Sequence, residues 1–320
     1  MKNIFKYSTI TVTLLFMILG SIYTYSSLES AKNDAYKDMS ENLLFNLKQE
    51  ETLLENIGII VTLNVADNKV IKQALIDQNR SIAIAELKKI SSEYKKSTSI
   101  KNLKIHIHTA DVKAFVRNWK LDKFGDDLSG FRKTILQVKK TRQPLFAFEV
   151  GRIGLTLRSI LPIMEGRKYL GSVEFIQAFE NITNKFEEKN NSYLLLMNKD
   201  LLKIAKYRVG SPAIGEYVLV SKVYNNKFFK KAKELDLDEL EKQGYLVDDE
   251  YFYTYKLIIG LNDEKLGMHF LGMPIQMVNE TIENKQKEVA ILVGLALLFY
   301  FSIMLILMFL IPDCKEEKCK

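Results

Sequence analysis

Cysteine is nearly absent from this sequence: two occur in 320 residues, Cys314 and Cys319, both close to the C-terminus. The segment before them can form no disulfide, which excludes the small disulfide-stapled scaffolds of many secreted proteins. Such a segment must be long enough to bury a hydrophobic core of its own. The Cys-x4-Cys tail could bind a metal or carry a lipid, although two reduced thiols without a role are the simpler interpretation.

Charge is absent from two long runs, 7–28 and 289–312, although 27% of all residues are charged. Each run is long enough for a helix to span the roughly 30 Å hydrocarbon core of a bilayer. We predict transmembrane helix 1 at 7–28 and transmembrane helix 2 at 289–312. A cleaved signal peptide is the alternative for the first run, and a buried core helix is the alternative for the second.

The short ends of the chain set the predicted topology. Lys2 and Lys6 precede the first run, so the N-terminal tail at 1–6 is expected to stay in the cytoplasm. Two spans return the tail at 313–320 to the same side and leave 29–288 outside. The net charge of +7 is spread too thinly to form the concentrated basic patch that nucleic-acid binding needs, so no nucleic-acid partner is expected.

The motifs of common enzyme sites are also missing. The sequence contains no P-loop, no Gly-x-Ser-x-Gly and no His-Glu-x-x-His. We therefore predict that the protein is not an enzyme and uses no cofactor. A membrane-anchored enzyme and a purely structural membrane protein are the alternatives. Turnover of a bound small molecule would favour the enzyme. If no small molecule binds at all, the structural protein is favoured.

Helix-breaking residues are scarce after the first run. Between residues 28 and 97 there is no proline, and Gly58 is the only glycine. This composition predicts a long helix in the stalk region 29–100, with breaks at Asp67-Asn68 and at 77–79.

One face of this helix is apolar, because apolar residues recur every three or four positions. The stripe consists of Leu28, Ala31, Ala35, Met39, Leu43 and Leu47. A stripe of this length needs a partner. We expect a second copy of the chain to supply it, giving a homodimer. The alternative is that the domain of the same chain covers the stripe.

Residue-by-residue alternation replaces the helical pattern after residue 100 and predicts two sheet modules. They are a membrane-distal module at 101–178 and a membrane-proximal module at 179–275, followed by a helix at 276–288 that enters the second span. Each module should be an antiparallel sheet with packed helices, so the fold class is α+β.

Within the distal module we expect a hairpin at 104–110 and 113–119, a helix from a Ser129 cap to about 142, and strands at 145–150, 154–163 and 168–176. Within the proximal module we expect a helix at 178–190, strands at 192–198, 216–222, 251–260 and 266–272, and a helix near 228–243.

Several motifs of the distal module stand in a recognisable order. They are His-x-His at 106–108, Phe-x-Arg-x-Trp at 115–119, Phe-Gly-Asp-Asp-Leu-Ser at 124–129, Phe-Glu-Val-Gly-Arg at 148–152 and Gly-Ser-Val-Glu-Phe at 171–175. With these motifs the chain, over roughly 30–285, resembles the double Cache sensor domains of bacterial methyl-accepting chemotaxis receptors and sensor kinases. The third type of that domain is the most similar.

The resemblance implies two tandem PAS-like modules on a long N-terminal helix, flanked by two transmembrane helices. It also implies a small-molecule site in the distal module, on the periplasmic side of a bacterial inner membrane. Such receptors usually continue into a cytoplasmic output region, whereas eight residues follow the second span here. A separate membrane signalling partner is therefore expected, and a shortened relative without signalling function is the alternative.

A candidate ligand site lies on the second strand of the hairpin. Alternation places Phe115, Arg117 and Trp119 on one strand face. A guanidinium beside aromatic rings suits a carboxylate, because it donates two parallel hydrogen bonds while the rings exclude water. We therefore expect a small anionic or zwitterionic ligand, an organic acid or an amino acid. The alternative is a surface arginine beside two aromatic core residues.

Further charged residues could complete this site. Arg158 could add a second cationic contact, or it could face solvent on an edge strand. An acid could hold a ligand amine, or it could pair with Arg132 or Arg152 instead. The acidic candidates are Asp126, Asp127, Glu149 and Glu174, and Asp127 is the loop acid that we assign to the site.

His106 and His108 project from the same face of one strand, a spacing that two metal-binding imidazoles could use. The sequence places no third ligand near them, because His269 belongs to the other module. We expect two hydrogen-bonded strand histidines and no metal.

Overall fold

The computed structural model describes residues 2–98, 100, 103–177 and 179–310, and it describes side chains from 11 to 306. The predicted C-terminal tail with Cys314 and Cys319, the last two residues of the second predicted span, and Met1 lie outside the described residues. The chain divides into two compact units. One comprises 1–41, 248–252 and 274–320, and the other comprises 42–247 and 253–273.

Three helices open the chain: α1 (Lys2–Asp67), α2 (Lys69–Ile76) and α3 (Arg80–Ser97). Both predicted breaks are confirmed, and asparagine causes each of them. The Asn68 side chain accepts a hydrogen bond from the Ile71 amide at the start of α2. Asn79 does the same for the amides at the start of α3. An N-cap of this kind satisfies amides that the first turn leaves without partners.

The first sheet has five antiparallel strands in the order β2-β1-β5-β4-β3. The strands are β1 (Lys104–Thr109), β2 (Ala114–Arg117), β3 (Leu145–Gly151), β4 (Gly154–Glu165) and β5 (Lys168–Gln177), and helix α4 (Lys133–Thr141) lies between β2 and β3 in sequence. The predicted cap at Ser129 is wrong, since its amide instead donates to the Asp127 side chain and the helix begins four residues later.

The second sheet has six strands in the order β7-β8-β6-β11-β10-β9. They are β6 (Ser192–Asn198), β7 (Ala213–Ile214), β8 (Tyr217–Leu219), β9 (Tyr245–Val247), β10 (Tyr251–Ile259) and β11 (Lys265–Pro274). Helix α5 (Glu180–Glu188) precedes this sheet, and two 3-10 turns (Lys199–Lys203 and Lys206–Arg208) follow β6. The helix expected near 228–243 is two helices, α6 (Asn226–Ala232) and α7 (Leu237–Gln243). The break falls at Asp236, whose side chain caps α7.

These elements give an α+β fold of two antiparallel sheets with a long N-terminal helix, as predicted. Helix α8 (Ile275–Leu310) closes the described chain. The module boundaries at 101–178 and 179–275 stay predictions.

Helices α1 and α8 each contain a stretch long and apolar enough to cross a membrane, and neither stretch is buried inside the protein. This exposure argues against a buried core helix at the second run. The two stretches touch each other: the rings of Phe16 and Tyr300 stack with centroids 4.0 Å apart. The Thr13 hydroxyl lies 3.2 Å from the Tyr300 hydroxyl.

In the larger unit, α1 presents one continuous buried face. Residues at positions 43, 47, 51, 54, 58, 61 and 65 repeat with the three-and-four spacing of a helix, and all are buried. Gly58 marks the closest approach to the first sheet. A Cβ atom at this position would lie 1.8 Å from Ser159 Oγ and 2.7 Å from Gln177 Nε2. Only glycine lets the helix backbone lie this close to the strands.

Glu51 is the charged member of this face and belongs to a buried polar cluster. Its Oε1 lies 3.2 Å from His269 Nε2 on β11, and its Oε2 accepts a hydrogen bond of 2.5 Å from Lys256 on β10. Tyr193 Oη lies 2.8 Å from the other ring nitrogen of His269. Burial alone would raise the pKa of Glu51, but His269 and Lys256 lower it to about 2. The cluster ties α1 to the second sheet.

The ionised Glu51 should therefore stabilise the fold above pH 4.5 and lose that effect as the pH falls towards 2. We expect Glu51→Gln to lower the free energy of unfolding by about 2 kcal/mol near pH 6, and the difference from wild type to shrink at pH 3 and below. Urea unfolding in detergent, followed by circular dichroism, measures both. Other carboxyl groups titrate equally in the two proteins, so a difference that does not change with pH contradicts the assignment.

Candidate functional site

A β-bulge in the β1–β2 hairpin decides which side chains meet on the first sheet. His106 pairs with Arg117 and Ile107 with Val116, but His108 pairs with Ala114. Phe115 is the extra residue, and a bulge interrupts strict alternation. Phe115 is consequently 3% exposed and packs with Val116 in the hydrophobic core. Arg117 and Trp119 line a cavity, and Phe115 is not among the described residues that line it. The sequence could not reveal this bulge.

That cavity has a volume of about 290 Å³ and a strongly basic lining. Seven basic side chains and one acidic side chain line it. The basic residues are Lys104, Arg117, Lys120, Lys123, Arg132, Arg152 and Arg158, and the acid is Asp126. Three aromatic rings, those of Trp119, Phe131 and Tyr207, also border it. Such a lining suits a small molecule with negative charge.

Arg117 holds Asp126 in a bidentate ion pair. The two hydrogen bonds measure 2.7 and 2.8 Å, and a third, of 2.9 Å, goes to the Lys123 carbonyl. The hydrogen bonds from Arg117 lower the pKa of Asp126, so this pair is charged. The neighbouring Asp127 is exposed and accepts from the Ser129 amide. Of the two candidate loop acids, Asp126 lines the cavity, and Asp127, the one assigned to the site, does not.

Two arginines and two glutamates form a buried network beneath the cavity. Arg158 donates to Glu174 Oε1 at 2.6 Å, and Arg132 donates to the same oxygen. Arg132 also donates to Glu149 Oε2 at 2.7 Å, and Arg158 Nε lies 3.4 Å from that atom. All four side chains are at most 12% exposed. Burial opposes ionisation of Glu174, but the two guanidinium groups hold its pKa well below the usual value.

Strand register and one glycine explain how this network forms. Glu174 lies on β5 opposite Ile160 of β4, two residues from Arg158, so the two side chains share a sheet face on neighbouring strands. Gly151 leaves room for the guanidinium, because a Cβ there would lie 2.6 Å from Arg158 Nη2. Arg158 is thus buried and not solvent-facing, and the predicted alternative of acids paired with Arg132 is the arrangement found.

The two histidines of β1 are buried beside the same carboxylate. His108 Nε2 lies 2.9 Å from His106 Nδ1, and His108 Nδ1 lies 2.9 Å from Ser172 Oγ. They are hydrogen-bonded strand histidines, as expected. Burial lowers the pKa of His106 to about 4 and that of His108 well below its usual value, so both rings are neutral near pH 7. The sequence missed that Glu174 is the direct cross-strand partner of His106.

A second cavity of about 300 Å³ adjoins the first and shares Lys104, Ile153 and Tyr207 with it. Its remaining lining includes residues of α5, β6 and the segment after β8. Two hydrogen bonds to backbone carbonyls connect the two sheet modules at this point. The Tyr207 amide donates to the Arg152 carbonyl, and the Arg208 side chain donates from Nε to the Ile153 carbonyl.

Of the seven residues predicted for the site, Arg117, Trp119 and Arg158 line the basic cavity, while Glu149 and Glu174 lie in the network beneath it. Sequence reasoning did not assign Lys104, His106 or Arg132 to the ligand site. Pairing β1 with β5 would have brought His106 beside Glu174, but the register was not assigned from the sequence.

The basic cavity thus lies on an antiparallel sheet that packs against a long N-terminal helix. Residues 37–206 match the family described as the double sensory domain of two-component sensor kinases, dCache_3. The match covers more than half of the chain, so the protein belongs to this family and contains a Cache-type sensor domain. The expected family is confirmed.

Several solved structures resemble the chain at low identity. Two are structures of the Campylobacter jejuni chemoreceptor Tlp3: its sensory domain with isoleucine bound, and its ligand-binding domain in complex with L-valine. Each is 13% identical to this chain with a TM-score of 0.48, and each match covers 80% of this chain and 97% of the Tlp3 chain. A third is an extracellular ligand binding receptor from Desulfohalobium retbaense, 16% identical with a TM-score of 0.40, over 72% of this chain and 40% of that one. No curated protein matches the chain. At these scores the likeness does not identify a ligand.

Removal of a single partner from the buried network should destabilise the fold strongly. We expect Arg132→Met to lower the free energy of unfolding by about 3–5 kcal/mol, because Glu149 and Glu174 lose a buried partner. Lys133→Met is the matched control: Lys133 is 55% exposed and pairs with Glu264 at 3.2 Å, so its loss should cost under about 1 kcal/mol. Urea unfolding of both variants provides the comparison, and equal small effects would show that the network adds little.

Proposed function

We propose that this protein is a membrane-anchored sensor of the bacterial inner membrane, whose distal module binds a small organic acid or amino acid in the periplasm. The basic cavity of the first sheet is the observation that carries the proposal. Its volume lies near the lower end of the roughly 300–1,000 Å³ that small-molecule sites occupy. A small ligand is therefore favoured over a peptide or an oligosaccharide.

The charge balance of the cavity favours an anionic group. Arg132 and Arg158 are neutralised by the two buried glutamates, and Arg117 by Asp126. No ion pair of the side chains of Lys104, Lys120, Lys123 or Arg152 is found within the described part of the chain. These four positive charges are available to a ligand carboxylate. A ligand that enters the cavity removes water from them, and this loss of hydration has to be compensated by a negative charge on the ligand.

Arg117 and Asp126 form the adjustable part of the proposed site. Asp126 is 41% exposed, and the Arg117 side chain is 14% exposed. A ligand carboxylate can therefore compete with Asp126 for the fork of the guanidinium, whereas the buried Arg132 and Arg158 cannot exchange partners as easily. Asp126 released in this way, or still in place, can also hold a ligand amine.

Ligand screening by thermal shift, on the full chain in nanodiscs with organic acids and amino acids, comes first. A ligand at 100 times its Kd should stabilise the protein by about 2.7 kcal/mol. Arg117→Ala should then weaken binding by about 1.5–3 kcal/mol, because a charged hydrogen bond is lost. Arg167→Ala is the control, since Arg167 is exposed at the β4–β5 turn. Normal binding by the folded Arg117 variant contradicts the site.

Asp126→Asn separates the two ligand classes in the same assay. It frees Arg117, so an organic acid should bind more tightly. An amino acid that uses Asp126 for its amine should bind more weakly. The ligand should be recovered unchanged, whereas turnover would favour the enzyme alternative.

The two-pass topology is a further part of the proposal. It is supported by the uncharged runs, by the exposed side chains of the apolar stretches of α1 and α8, and by Lys2 and Lys6 before the first run. The separate signalling partner stays a prediction from the sequence.

The homodimer is proposed through a different face of α1 from the one expected. Within this single chain Ala35, Leu43 and Leu47 of the predicted stripe are already fully buried. An exposed apolar stripe runs along another face of the helix: Phe45, Leu53, Ile60 and Leu63 are 62%, 50%, 62% and 49% exposed. Their spacing follows helical periodicity, and the same stripe of a second copy would cover them.

Single cysteines at Leu53 and Ile60, in a Cys314→Ser/Cys319→Ser background, should crosslink two chains under mild oxidation. A cysteine at Lys48 is the control, because that exposed position lies about 130° around the helix from both. Non-reducing gels of membranes report the outcome. Equal crosslinking at all three positions would indicate random collision and would contradict pairing through this face.

A further inference from the structure

We propose that His106, His108 and Glu174 form a binding site for a divalent transition metal, with Zn²⁺ as the ion that fits best. This site goes beyond the proposed ligand cavity and does not depend on it. The three side chains lie on the neighbouring strands β1 and β5 and are 2%, 0% and 0% exposed. Two imidazole nitrogens and one carboxylate oxygen form a donor set that zinc accepts in proteins.

The three donor atoms already stand at coordination spacing. His106 Nδ1 lies 2.9 Å from His108 Nε2 and 3.4 Å from Glu174 Oε2, and His108 Nε2 lies 3.7 Å from the same oxygen. Tetrahedral zinc with bonds of about 2.0–2.1 Å separates its ligand atoms by roughly 3.3 Å. The mean of the three distances equals that value, so an ion can be placed between the atoms with shifts of a few tenths of an ångström.

Glu174 directs an unsatisfied oxygen at this position. Its Oε1 accepts hydrogen bonds from Arg132 and Arg158, whereas its buried Oε2 has no hydrogen-bond partner within the described residues. A buried carboxylate oxygen without a partner is costly. Both arginines contact the far oxygen, so they orient the carboxylate as outer-sphere partners of metal ligands do.

A hydrogen bond to Ser172 supports the tautomer that a metal requires at His108. Ser172 Oγ can accept a hydrogen bond from His108 Nδ1–H, which leaves the lone pair of His108 Nε2 free to bind a cation. His106 can place its proton on Nε2 and turn Nδ1 to the same point. The metal then replaces the hydrogen bond between the rings, and no proton has to leave the site.

The charge of the ion can be accommodated. Arg132 and Arg158 are balanced by Glu149 and Glu174, so the buried network itself carries no net charge before the metal binds. His106 lines the basic cavity. The fourth coordination position is therefore open to that cavity, where water, hydroxide or an anionic ligand can complete the tetrahedron.

Zinc titration of the full chain in detergent tests the proposal. The protein carries no polyhistidine tag, and it carries Cys314→Ser and Cys319→Ser because thiolates of the tail cysteines could bind zinc themselves. Calorimetry and metal analysis after dialysis should give one zinc per chain. His106→Gln should weaken zinc binding at least about 100-fold. His269→Gln is the matched control, because His269 is a buried histidine beside Glu51 with no second imidazole, and it should leave zinc binding unchanged.

A second measurement avoids any dependence on how the variants fold. X-ray absorption of the zinc in the protein with both tail substitutions should show two imidazoles, oxygen and no sulfur, and Co²⁺ in its place should give the visible absorption of a tetrahedral site. Absence of bound zinc, zinc retained by folded His106→Gln, or equal loss in folded His269→Gln would each overturn the assignment.

Discussion

Glu174 is a carboxylate with no solvent exposure, and it stays ionised because Arg132 and Arg158 both contact one of its oxygens. Much of the first sheet depends on this interaction. It joins α4 to the central strands, keeps Arg158 beside Gly151, and presents the second carboxylate oxygen to the two histidines. A network of this kind adds little net stability over an apolar core, but it fixes one arrangement of its members. Arg132 and Arg158 also line the basic cavity, so their fixed positions help to determine its shape.

The basic side chains of this region fall into two groups, those paired inside the buried network and those at the surface of the cavity. The buried arginines are satisfied by glutamates and serve as scaffold, whereas the cations at the cavity surface can accept a ligand. Arg117 stands between these groups, because its partner Asp126 is partly exposed and belongs to a loop. In the proposed site the buried network would fix the position of the ligand, and exchange of the Arg117–Asp126 ion pair would couple binding to the loop.

Strong local signals made most of the fold predictable. Alternation located β3 to β6 within two residues of their ends, and the asparagines after α1 and α2 marked both helix breaks. Ser129 was misread because aspartates beside it compete for the same amides. The site was less predictable, because it depends on contacts between strands. Neither the bulge at Phe115 nor the pairing of His106 with Glu174 leaves a trace in residue order, since both arise from the register between strands.

Gly58 limits how α1 can move against the first sheet. A shift of the helix by one turn, about 5.4 Å, would bring Leu54 or Thr62 to the place opposite Ser159. Neither side chain fits, because that place does not hold even a methyl group. The close contact at Gly58 therefore opposes a shift of α1 by one turn along its axis relative to the first sheet.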